Sequence, residues 1–245
     1  MYSLILMNRL IVSLDIDNLD KSIELIDILS PKIEIFKVGI APFTSFGNQL
    51  LDKLRSLNKK VFLDLKFHDI PNTVKNATKA AAQKGVYMMN FHCLGGLRML
   101  QAAVAGVKEA NVQEIPLLLG VTILTSMTTE EMQNVGLGTT MQDEVIALAK
   151  LAQDAGLSGV VASPKEVKII KEKIGRDFIV VTPGIRFTET AVSTDDQRRT
   201  LTAKQAIAEG ADYIVVGRPI IQADDPLAAA DKIIAEIEYA ERNYE

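Results

Sequence analysis

The sequence predicts a single α/β domain, a (β/α)8 TIM barrel spanning residues 1–245. Three observations carry that expectation. Eight short apolar runs alternate along the chain with amphipathic segments. Most of the runs are continuously apolar, the mark of parallel strands covered by helices on their outer face. The length, 245 residues, matches the roughly 250 residues typical of eight strand–helix units. A doubly wound open sheet is the alternative. If it bound a dinucleotide it would carry a glycine-rich turn after an early strand, and none is present. No low-complexity segment, Pro/Ser linker or charge block divides the chain.

Barrel enzymes work at the C-terminal ends of their strands, so each unit is read to that end. The first run, Leu10–Leu14, ends at Asp15, with Asp17 close behind, and precedes a helical pattern over Leu19–Leu29. The second, Ile33–Val38, carries Lys37 and leads to a pattern over Thr44–Leu57. The third, Val61–Leu65, is charged at Asp64 and again at Lys66, and leads to Thr73–Lys84. The fourth, Val86–Phe91, offers Asn90 and His92 before Gly95–Ala110. The fifth, Leu117–Ile123, runs into Thr125 and Ser126, with Thr140–Ala155 as its helix. The sixth, Gly159–Ala162, is plain and precedes Pro164–Lys173. The seventh, Phe178–Thr182, continues through Pro183-Gly184 to Arg186, and its helix is Ala203–Glu209. The eighth, Tyr213–Val216, ends in Gly217-Arg218, with Pro226–Tyr239 closing the chain. Polar groups thus gather at one end of nearly every strand, which packing alone does not explain.

The third unit is the centre of the chemistry. Side chains on a strand alternate, so Phe62, Asp64 and Lys66 share one face while Leu63 and Leu65 take the other. A strand buried on both faces tolerates a carboxylate and an ammonium only when they pair with each other and with a ligand. Pro71 fits the first turn of the next helix, and Asp69 is placed to cap it. A structural salt bridge at a strand end is the plainer reading of the same residues. The last two strand ends point to a phosphate, which barrels commonly hold with the loops after strands seven and eight. Gly217 lets backbone N–H groups approach an anion, and Arg218 and Arg186 offer guanidinium forks. The polar stretch Phe187–Thr200 has the length of a lid, with Gln197 as a donor to that anion. His68 and His92 beside Asp64 and Asp69 fit no compact metal-ligand spacing, and Lys66 would repel a cation, so no metal is expected. Cys93 reads as a small buried residue.

Composition bounds the partners. A net charge of −4 gives no electrostatic case for nucleic acid. One cysteine excludes an intrachain disulfide and suits a reducing cytosol. No run approaches the length of a membrane span, and the apolar stretch in Met1–Leu10 is too short and poorly flanked for a signal peptide. A cytoplasmic protein is expected.

Taken together, Asp64-Leu-Lys66-Phe-His-Asp69-Ile-Pro-Asn-Thr73, the Lys37-Val-Gly segment before it, Thr182-Pro-Gly-Ile-Arg186, Asp196-Gln197-Arg198-Arg199 and Val216-Gly-Arg218 resemble the orotidine 5′-phosphate decarboxylase family of the bacterial type. The match covers nearly the whole chain, with the motifs in order. Phe187 departs from it, standing where proline is more usual. The resemblance implies a homodimeric (β/α)8 barrel with active sites at the interface, converting orotidine 5′-phosphate to UMP and carbon dioxide without metal or organic cofactor. It implies that Lys66 protonates C6 and that Asp64 lies against the substrate carboxylate. Lys37 and Asp69 would complete an alternating charge row, with Asp69, Ile70 and Thr73 reaching in from the other subunit. Asp15 and Lys37 would hold the ribose hydroxyls, and Thr125, rather than Ser126, the pyrimidine amide edge. Arg186, Gln197, Gly217 and Arg218 would grip the phosphate. Two other readings keep some of these residues. A magnesium-dependent lyase or isomerase of a pentulose phosphate would need more carboxylates converging on the metal. A non-catalytic nucleotide-phosphate binding protein would have no use for Lys66.

Overall fold

In a computed structural model, which describes residues 9–186 and 201–244, eight parallel strands close into a barrel in chain order. They are β1 (Leu10–Ser13), β2 (Ile35–Gly39), β3 (Lys60–Phe67), β4 (Met88–His92), β5 (Leu117–Val121), β6 (Gly159–Val161), β7 (Ile179–Thr182) and β8 (Tyr213–Val216). The seam closes where Leu10 and Val12 of β1 lie beside Ile214 and Val216 of β8.

The alternation of side chains sorts the strands into an interior and an exterior. Ile11, Ile35, Phe62, Met88, Leu119, Val181 and Val215 form one buried cluster, with Val161 packed against it, so every strand contributes at least one residue to an apolar plug. Their neighbours Leu10, Val12, Phe36, Val38, Val61 and Leu63 belong instead to the larger core beneath the helices. Two residues beyond the plug, the inward positions are Ser13, Lys37, Asp64 and Asn90, all buried. Water is thus excluded below the polar layer, and the charges sit at the mouth formed by the C-terminal strand ends.

The helices are α1 (Leu19–Leu29), α2 (Ile40–Phe46), α3 (Gln49–Ser56), α4 (Pro71–Gln83), α5 (Leu97–Ala110), α6 (Thr129–Asn134), α7 (Met141–Asp154), α8 (Val167–Lys173), α9 (Ala203–Ala208), α10 (Arg218–Ile221) and α11 (Pro226–Tyr244). Where one helix is expected over Thr44–Leu57 there are two. Gly47 at φ +57 is the C-cap that stops α2, and α2 itself starts directly after β2. Helix α6 is an addition, begun by a capping box in which Thr128 and Glu131 satisfy each other's backbone N–H groups. Asp69 does not cap α4. Ile70 is the N-cap residue, and the Asp69 carboxylate accepts instead from the adjacent Ile70 N–H at 2.6 Å.

Strand β3 is not regular. Leu63 pairs with Met89, but the next pairing is Phe67 with Phe91, so four residues of β3 oppose two of β4. The bulge holds Lys66 at φ +49, a left-handed conformation. It falls at the end of the strand that carries the paired charges.

Candidate active site

A cavity of about 500 Å3 opens at the C-terminal mouth of the barrel. Asp15, Lys37, Asp64, Lys66, Thr125, Arg186, Gly217 and Arg218 lie on its wall. Ser126 is not among the lining residues, so of the two neighbours Thr125 is the one presented to the cavity.

The four charges form a row of alternating sign. Lys37 Nζ lies 3.3 Å from Asp15 Oδ1 and 3.1 Å from Asp64 Oδ2, and Lys66 Nζ donates to Asp64 Oδ1 at 2.7 Å. Burial is the strongest influence on Asp64 and raises its pKa, but the Lys37 and Lys66 ammoniums, with hydrogen bonds from Lys66 and Asn90, together bring it down to about 2. Burial likewise pulls the Lys37 pKa down most strongly, and Asp64 and Asp15 outweigh it, so the ammonium is held more firmly than an ordinary lysine's. The carboxylate of Asp64 is therefore fixed in its charged state at neutral pH, with two ammoniums beside it. Asp15 is anchored on its other oxygen by the Ser13 hydroxyl at 2.6 Å. Gly39 leaves room for this arrangement. A Cβ there would stand 2.7 Å from Asp15 Oδ1 and 3.0 Å from Lys37 Nζ.

Two residues that the motif reading did not select hold this row in place. Ser13 is an inward strand position of the ordinary period, and Asn90 stands out in the sequence as an amide inside an apolar run. Their signal was alternation, but their partners are set by barrel closure and cannot be read locally.

Asp69, Ile70 and Thr73 are not brought to this cavity by their own chain. Asp69 and Thr73 line a separate hollow with Ile40, Phe43 and Lys66, and Ile70 is 67% exposed. His68 and His92 stack with ring centroids 5.5 Å apart. Burial first, then His68 and Lys66, lowers the His92 pKa. Among the described residues no group of three or more His, Cys, Asp or Glu is disposed to hold a metal ion. Cys93 is buried, and burial pushes its thiol up to about 12, which leaves it inert as a nucleophile.

At the other end of the cavity the chain leaves β7 through Gly184, at φ +83, to Arg186. The Arg186 N–H donates to the Leu201 carbonyl at 3.1 Å, and Ile185 bridges Leu201 in parallel. Ile185 and Arg186 are thereby paired with Leu201. Gln197 and the expected lid Phe187–Thr200 lie outside the described residues. No helix among the described residues is long and apolar enough to cross a membrane.

Comparison with known proteins places this geometry. The model of the orotidine 5′-phosphate decarboxylase / HUMPS family matches residues 8–233. An orotidine 5′-phosphate decarboxylase of Syntrophus aciditrophicus is 48% identical over 235 residues, which cover 94% of this chain and 93% of that protein. One of Legionella pneumophila (strain Paris) is 48% identical over 229 residues, 94% of this chain and 99% of the relative. Among solved structures, an orotidine 5′-phosphate decarboxylase from Lactobacillus acidophilus superposes with a TM-score of 0.82 at 38% identity, covering 94% and 99% of the two chains. An uncharacterized conserved protein from Geobacillus kaustophilus gives 0.81 at 33% identity, covering 93% and 99%.

Proposed function

The chain belongs to the orotidine 5′-phosphate decarboxylase / HUMPS family and decarboxylates orotidine 5′-phosphate in pyrimidine biosynthesis, and we propose that the Asp15–Lys37–Asp64–Lys66 row is the machinery that does so. The observation that carries this reading is the contact of Lys66 Nζ with Asp64 at 2.7 Å on the cavity wall, with Lys37 behind the carboxylate.

Loss of carbon dioxide from C6 of the pyrimidine breaks the C6–carboxylate bond and leaves its electron pair in an sp² orbital with no adjacent sink. Only electrostatics can stabilise that pair. A fixed ammonium aimed at C6 does so and then transfers its proton, giving UMP. Asp64 faces the substrate carboxylate in this scheme. The ammoniums of Lys37 and Lys66 favour its ionised form, the substrate carboxylate set against it opposes them, and that repulsion ends when carbon dioxide departs. Lys37, paired to both Asp15 and Asp64, keeps the row neutral overall and spans the ribose side.

Asp15 and Lys37 hold the ribose hydroxyls and Thr125 the amide edge of the base. Arg186, Gly217, Arg218 and Gln197 bind the phosphate, whose binding energy is spent at the distant reacting carbon. Asp69, Ile70 and Thr73 act on the site of a second subunit in a homodimer. That assignment is supported by their position on the rim beside Lys66, exposed and outside their own cavity. The reaction takes place in the cytoplasm and needs no metal. The test is release of carbon dioxide from orotidine 5′-phosphate by purified, chelator-treated protein. Activity restored only by added magnesium would refute the cofactor-free reading.

A further inference from the structure

Asn90, on β4, is fully buried and does not line the cavity. Its Oδ1 accepts from the backbone N–H of Lys66 at 2.8 Å, and its Nδ2 donates to Asp64 Oδ1 at 2.6 Å. That same Asp64 oxygen accepts from Lys66 Nζ at 2.7 Å. The contacts close a ring: Lys66 backbone, Asn90 amide, Asp64 carboxylate, Lys66 ammonium. Only one orientation of the amide serves both partners, because the flipped one would set donor against donor and acceptor against acceptor.

The ring sits where the backbone most needs it. Lys66 lies in the bulge of β3 at φ +49, and a bulged residue lacks a partner in the strand ladder. Its part-buried N–H needs another acceptor, which Asn90 supplies. An aspartate at this position would accept from Lys66 but repel Asp64, and a leucine would fill the space and make neither bond. Only an amide of this length does both.

We propose that Asn90 is a positioning residue for decarboxylation, holding the left-handed turn at Lys66 and the carboxylate of Asp64 so that the Lys66 ammonium is aimed at the reacting carbon. The inference rests on the decarboxylase reading for its consequence, not for its geometry. Asn90 touches no substrate and acts only through its two neighbours.

The test compares native protein with Asn90→Leu and Asn90→Asp, using two readouts. The first is hydrogen exchange of the Lys66 amide, followed by NMR. The second is kcat per UMP-binding site, counted by titration with UMP, together with KM and the pH profile. In Asn90→Leu the Lys66 amide should lose its protection, and kcat per site should fall about 100-fold, the scale of a misplacement near 1 Å, while KM stays within about threefold. In Asn90→Asp the amide should stay protected, but the acid limb of kcat should move to higher pH, because two carboxylates now share one neighbourhood. A merely structural role would lower the number of competent sites and leave kcat per site unchanged. The inference is overturned if Asn90→Leu keeps native protection at Lys66 or native turnover per site. Should that variant not fold, an Asn90→Asp protein with a native pH profile and native kcat overturns it equally. A native protein that releases no carbon dioxide would instead sink the functional reading, and the exchange comparison would still decide the role of Asn90.

Discussion

Replacing Asp64 with asparagine removes one charge from the middle of the row and keeps the shape of the side chain. In the native protein the carboxyl is moved from 3.8 to about 2. At about 1.4 kcal/mol per tenfold change in proton affinity, the ionised group contributes on the order of 2 kcal/mol to folding. The sign follows from the direction. A carboxyl lowered by folding stabilises the protein above its unfolded pKa, and the contribution drains away as pH falls through the folded value. Asp64→Asn also leaves the buried Lys37 ammonium facing only the half-exposed Asp15, and breaking a buried pair from one side costs about 3 kcal/mol or more. The variant should therefore be less stable than native by about 3 kcal/mol or more at pH 6. The gap should narrow by about 1 kcal/mol at pH 3, where the unfolded chain's carboxyl has largely taken up a proton and the native one has not. Urea unfolding of both proteins at fixed concentration, at pH 6, 4.5 and 3, reads the difference directly. Equal gaps at pH 6 and pH 3 would refute the claim that the charge of Asp64 is what the row depends on. So would an asparagine variant as stable as the native protein at pH 6.

Lys66→Ala should abolish turnover while leaving UMP affinity within a few-fold of native, because the ammonium acts on the carbanion and not on the product; equal losses of both, by calorimetry and assay, would contradict that role. Gly39→Ala should cost about 1–3 kcal/mol, since the added methyl overpacks a buried position against the Asp15–Lys37 pair. It should raise KM for orotidine 5′-phosphate by about tenfold as Asp15 and Lys37 are pushed apart; an unchanged KM would detach that pair from the ribose. Lys66→Ala and Asp69→Ala, each inactive, should recover about a quarter of native activity when unfolded and refolded together, because random pairing makes about half the dimers mixed and each mixed dimer carries one intact site. If proven subunit exchange restores nothing, Asp69 works within its own barrel.

Much of the site was legible because charge in an apolar run has few explanations. Asp64, Lys66 and Lys37 stand out in their strands, and the barrel places them together at the mouth, Lys37 and Asp64 by alternation and Lys66 through the bulge. Arg186 and Arg218 follow from their position after the last two inner strands. The bulge in β3 was not legible, since a lysine has no local preference for φ +49 and the cause lies on β4, in Asn90. Asp69 looked like a helix cap because it precedes Ile-Pro, but the chain turns one residue later and gives that position to Ile70. The break at Gly47 was readable from a glycine inside a helical pattern, and the short helix α6 from its Thr-x-x-Glu box; both signals were masked by the amphipathic patterns around them.

The seam between β1 and β8 has a consequence for the order in which the protein is made. The four charges of the row come from the first three strands, so the ribosome delivers them early. The barrel around them cannot close until β8 has been synthesised and has found β1. During that interval the growing sheet has two bare edges, one of them β1, which are open to pairing with other chains. Contacts spanning nearly the whole chain also make closure slow. A substitution that weakens β8 should therefore disturb β1 and Asp15, at the far end of the sequence, and show itself first as aggregation during synthesis rather than as a loss of catalytic rate.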